Sequence, residues 1–89
     1  MATIVIRHPV VDYSAWRQGY DSAEDLRQSY GISGASVLCD PADRNMVLVT
    51  HDFPTVAQAQ AFLADPGLRE VMARAGVVGE PHIEIYDEP

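Results

Sequence analysis

The sequence predicts an α+β domain with the element order strand, helix, strand, strand, helix, strand, and three observations lead there. Short β-branched runs stand at the start, the middle and the end of the chain. Two stretches with apolar residues at spacings of three and four separate them. A polar, proline-containing segment joins the two middle strands with no room for a helix.

Thr3 to His8 (TIVIRH) reads as the first strand and is expected to stop at Pro9, which offers no N–H to a ladder. Asp12 is placed to cap the next helix. In that helix Tyr13, Trp16, Tyr20 and Ala23 form one aromatic stripe, and the helix is expected to run on to Tyr30-Gly31. Ser33 to Cys39 and Met46 to Phe53 form a hairpin, with Asp40 to Asn45 as a longer connecting loop.

Thr55 opens the second helical region, with Gln58 completing a capping box and Val56, Ala59, Phe62 and Leu63 on its inner face. Asp65-Pro66 interrupts the pattern, since proline suits the first position of a new helix and aspartate the cap before it. The second piece presents Leu68, Val71, Met72 and Ala75 and closes at Gly76. His82 to Tyr86 (HIEIY) supplies the last strand.

This order is that of the ferredoxin-like βαββαβ fold with a four-stranded antiparallel sheet, occupying residues 1–89 as a single domain. The sequence reading places strands one and three side by side in the centre and parallel, with strand four against strand one and strand two against strand three. The central strands are apolar on both faces: Val47, Val49 and Phe53 oppose Met46 and Leu48, and Ile4 and Ile6 oppose Val5. Two helices can cover only one face of such a sheet. A second copy of the chain, stacked sheet to sheet, is the expected cover for the other. A chain of 89 residues with one cysteine has no internal disulfide to help a small core, which also favours association.

Composition narrows the partners. The net charge is −7, and all six basic residues are arginines scattered along the chain. Without a basic cluster to displace counterions, nucleic acid and anionic membrane surfaces are excluded as partners. No apolar run is long enough for a membrane span and the start lacks a signal-peptide pattern, so the expected location is cytoplasmic. No glycine-rich phosphate loop is present, so no nucleotide-type cofactor is expected.

Three segments, VIRHPVVDYSAWRQGYD, LVTHDF leading into VAQAQAFL, and DPGLREVMARAGVVGEPHIEIYDE, together resemble the antibiotic biosynthesis monooxygenase-like proteins of the dimeric α/β barrel superfamily. The resemblance runs over nearly the whole chain. It implies a ferredoxin-like homodimer, and an activity among cofactor-free oxygenation of aromatic polyketides, polyketide cyclisation and haem degradation. The haem-degrading members rely on tryptophan and histidine on the second helix and asparagine on strand one. The matching positions here hold Phe62 and Met72, and strand one offers Arg7 and His8, so that branch does not fit.

The candidate catalytic residues are His8 and His51, since an imidazole titrates near neutrality and serves as general base or acid. Tyr13, Trp16, Tyr20, Phe62 and His82 are the candidate substrate-binding residues, the aromatic ones as a flat apolar wall. With parallel central strands, all three histidines would gather at one end of the sheet, although residue parity separates His8 from His82 by face. The leading reading is an enzyme acting on a small aromatic or polyketide-like molecule without an organic cofactor or metal. The alternatives are a non-catalytic ligand-binding or accessory homodimer, and a metal-dependent enzyme using the histidines.

Overall fold

The computed structural model describes all 89 residues, Met1–Pro89. Strand β1 (Ala2–Pro9) is followed by helices α1 (Tyr13–Ser22) and α2 (Glu24–Ser29). The hairpin β2 (Gly34–Asp40) and β3 (Asp43–Phe53) comes next, then α3 (Val56–Ala64), α4 (Pro66–Arg74) and β4 (His82–Asp87). The sheet order is β2-β3-β1-β4, and every neighbouring pair is antiparallel. The fold is α+β and ferredoxin-like. No helix is long and apolar enough to cross a membrane.

One expectation about this sheet is overturned. The central strands β1 and β3 run antiparallel, with Ile4 opposite His51 and His8 opposite Val47. The crossover through α1 and α2 makes β1 parallel to β2, and the tight hairpin then reverses the chain. Strand β3 therefore has to run against β1.

Strand β1 alternates as its sequence requires, burying Ala2, Ile4, Ile6 and His8. Strand β3 buries Val47, Val49, His51 and Phe53 on the same face. Helices α3 and α4 pack Ala59, Phe62 and Leu68 against the Ile4 end of this face. Helix α1 and the end of α4 pack Trp16 and Ala75 against Val47 and Val49. The core thus falls into two neighbouring clusters under one sheet.

Local chemistry explains the boundaries. Asp12 accepts the Ala15 N–H at 3.0 Å, Thr55 accepts the Gln58 N–H at 3.1 Å, and Asp65 accepts the Gly67 N–H at 2.7 Å. The long hairpin loop expected over Asp40 to Asn45 is instead a turn of Pro41-Ala42, with a bulge between Cys39 and Asp40. Asp40 and Asp43 each bond the backbone N–H two residues on, which closes the turn and lets β3 begin early. The first helix is also not continuous: it breaks at Ala23, whose N–H bonds the Tyr20 carbonyl at 3.1 Å. The Arg27 side chain folds back onto that same carbonyl at 2.8 Å.

Glycine is required where α1 meets α4. A Cβ on Gly19 would lie 2.8 Å from Ala75 Cβ, so a side chain there would push the two helices apart. Gly76, at φ +87°, ends α4 in the left-handed region as expected.

Candidate functional site

The two core clusters do not close completely on each other. A cavity of about 50 Å³ lies at their seam, between the sheet and helices α1, α2, α3 and α4. His8, Trp16, Tyr20, His51 and Phe62 all contribute to its wall. The wall is otherwise almost entirely apolar, with Arg27 as its one charged side chain.

A continuous run of rings crosses this space. Trp16 lies 5.7 Å from His8 and stacks on Tyr20 at 5.1 Å between centroids. Tyr20 stacks on His51 at 5.8 Å, and His51 meets Phe62 edge-on at 5.6 Å. The Tyr20 hydroxyl and His51 Nε2 are 2.9 Å apart and share a hydrogen bond. Helical spacing puts Trp16 and Tyr20 on one face of α1, and strand alternation puts His8 and His51 on the face opposite them.

Burial governs the protonation of both imidazoles. It holds His8 below the usual histidine range, partly offset by the backbone at His8 and Pro9. His51 is pushed down to about 4 by burial and, second, by the nearby Arg27 charge. Both rings are therefore neutral near pH 7. Each keeps a buried Nδ1 with no hydrogen-bond partner in the protein. Buried polar atoms are nearly always paired, so two orphaned nitrogens in the wall of one cavity mark it as a place for ligand groups.

The antiparallel register corrects the expected grouping of histidines. His8 and His51 share a face but stand four positions apart along the strands, about 13 Å at the usual strand rise. His82 pairs with Arg7 on the opposite face, exposed, and its Nε2 is 2.9 Å from Glu84. The three imidazoles cannot share one metal ion, and no group of three or more His, Cys, Asp or Glu side chains converges anywhere in the structure. The reading as a histidine metalloenzyme is set aside on that geometry. Tyr13 also stands outside the cavity. It packs 5.9 Å from Trp16 and beneath Arg44, and so braces the wall from behind.

Arg27 is the residue that the sequence reading passed over. It continues the stripe of Tyr13, Trp16, Tyr20 and Ala23 by four more positions, and that spacing was the available signal. Its guanidinium carbon sits 3.9 Å over the Tyr20 ring.

Proteins named as antibiotic biosynthesis monooxygenases share this ferredoxin-like α+β fold with its four-stranded antiparallel sheet. The cofactor-independent oxygenase SnoaB of Streptomyces nogalater superposes with a TM-score of 0.80 at 13% identity, over 99% of this chain and 92% of that one. A candidate antibiotic biosynthesis monooxygenase of Bordetella bronchiseptica gives 0.82 at 13%, over 99% and 96%. A Nitrosomonas europaea protein of unknown function gives 0.74 at 21%, over 96% and 85%. By sequence, no family model and no curated protein matches the chain. At these identities the likeness establishes the fold.

Proposed function

We propose that the chain is an enzyme that removes a proton from a small aromatic or polyketide-like molecule, leading to oxygenation or cyclisation, without a bound organic cofactor. The observation that carries this reading is the pair of buried neutral histidines in one apolar wall, each with a free Nδ1. A neutral imidazole can take a proton. At a pKa of about 4, His51 is a weak base suited to an acidic enol or phenol and passes the proton on readily, with the Tyr20 hydroxyl beside it as a second exchangeable proton. Trp16, Tyr20 and Phe62 supply the flat surfaces that hold a conjugated ring. The fold shared with SnoaB, named a cofactor-independent oxygenase, supports the same class of chemistry.

The working unit in this reading is a cytoplasmic homodimer of one-domain chains. The helices all pack on the face that carries Ile4 and Val49. The other face leaves Leu38 57% exposed beside Val5, Met46 and Leu48, and a second copy would cover it.

The test is turnover of a panel of anthrone- and naphthol-type compounds, followed by absorbance and dioxygen uptake. Replacing His51 by Gln should lower the rate by about a hundredfold or more, the usual contribution of a general base, and His8→Gln should also slow it. Undiminished turnover in the double variant would overturn the assignment. A second reading, a non-catalytic accessory protein whose interior is largely filled by its own side chains, is favoured by one observation: about 50 Å³ is far below the roughly 300 Å³ of ordinary ligand sites. No turnover of any compound, with or without weak binding, would select it.

A further inference from the structure

We infer that Arg27 is the anion-binding residue of the cavity, and that the ligand is a flat apolar molecule carrying one negatively charged oxygen group. This deepens the reading above and rests on it, since it names the charge of the molecule the pocket takes.

Arg27 is only 7% exposed, yet it takes part in no ion pair. The one hydrogen bond of its side chain within the protein runs from Nη1 to the Tyr20 carbonyl. A guanidinium has five N–H donors, and a buried charge is ordinarily paired. In an acidic chain of net charge −7, a largely buried cation held only by the Tyr20 ring and carbonyl, with no carboxylate on it, stands out.

No carboxylate lies within ion-pair distance of the guanidinium. No carboxylate lines the cavity, and its other titratable groups are His8, His51 and Tyr20. Arg27 and Tyr20 also line an outer groove of about 400 Å³, where Asp21 and Glu24 stand. Asp21 is engaged by Arg17 at 3.0 Å, and Glu24 is exposed to solvent. Arg27 and Tyr20 thus form a partition between the groove and the cavity. A ligand anion seated there has to widen the cavity of about 50 Å³, which the half-buried Val71 and Met72 side chains permit, and then meets the cation at one end and the Trp16, Tyr20 and Phe62 rings along its body. The planar guanidinium suits both a carboxylate and the oxygen of an ionised enol or phenol.

Trp16 is the only tryptophan and lies in the cavity wall, so its fluorescence reports binding directly. Near neutral pH, the protein is titrated with naphthoate, with hydroxynaphthoquinone (an acidic enol) and with the neutral isostere naphthamide. At least one anion should bind about tenfold or more tightly than the amide, as expected for a charge-assisted hydrogen bond. Which anion gains tells a carboxylate ligand from an enolate. Arg27→Gln should erase the preference while leaving the amide affinity in place, and Arg27→Lys should keep part of it. Equal binding of all three probes by the wild type, which requires no variant to fold, overturns the inference. So does a preference that survives Arg27→Gln. Failure of every probe to bind would instead remove the pocket reading itself, and the role of Arg27 with it.

Discussion

The Tyr20 hydroxyl lies 2.9 Å from His51 Nε2, tying helix α1 to the central strand β3 across the cavity. This bond partners the one ring nitrogen of His51 that has a partner, because Nδ1 is buried and alone. Tyr20→Phe should keep the stacking on Trp16 and cost about 1–3 kcal/mol, the range for stranding a buried polar group. Urea unfolding of the two proteins measures it. If the pair also moves a proton, the same variant should slow turnover well beyond what its stability loss explains.

Stability should fall on mild acidification. The folded-state pKa of His51 is about 4 and that of His8 is also lowered, against about 6.5 in an unfolded chain. Between those values the unfolded chain takes up protons that the folded one refuses. The contribution is therefore fully present above pH ~6.5 and is lost as pH falls toward about 4. For His51 alone the loss is on the order of 3 kcal/mol. Denaturant unfolding at a series of pH values should show this slope, and His51→Gln should flatten it. A curve unchanged by that substitution would show that some other group sets it.

Much of this architecture was legible because it rests on local rules. The Thr55 cap, the Asp65-Pro66 break and the alternation of Ile4, Ile6 and His8 follow from backbone bonding and strand parity, and the structure has each of them. Parity likewise anticipated that His82 lies on the face opposite His8. The direction of β3 relative to β1 was misread because it depends on counting reversals through the whole chain, and no residue encodes it by itself. The end of α1 escaped for a different reason. Ala23 carries no breaking signal, and the bend there is held by Arg27 reaching back to the Tyr20 carbonyl. The same contact across the helix break hid Arg27 from a reading that saw the six arginines only as scattered along the chain.

Cavity size can be tested from its wall. Phe62 is almost fully buried and touches Phe53, Tyr30 and His51, so Phe62→Ala should cost about 3–5 kcal/mol, a large share of the stability of a small domain. Met72 lines the same cavity but is only half-buried. Met72→Ala should cost less, about 1–2 kcal/mol by partial loss of the usual large-to-small penalty, while enlarging the space. Tighter binding of bulkier ring systems by Met72→Ala, read from Trp16 fluorescence, is the expected result. Weaker binding of every probe would mean that ligands do not enter between the helices and the sheet.

The outer sheet face sets the last prediction. Leu48 sits on β3 opposite Leu38 of β2, with Val5 and Met46 nearby on the same side. Farther along, the face turns polar, with Ser36 bonded to Thr50 and Thr3 to Asp52. A second copy would bury the apolar part, and each large side chain covered contributes about 1.5–3 kcal/mol when fully buried. An aspartate at the centre of that patch would carry its charge into the interface with only Arg7, opposite it on β1, to partner it, and the desolvation costs more than the leucine gained. Leu48→Asp should therefore sediment as a folded monomer where the wild type sediments as a dimer at micromolar concentration. The inner core does not touch Leu48, so its circular dichroism should be unchanged. A wild-type protein that is monomeric under those conditions would leave the patch to solvent and remove the dimer from the proposal.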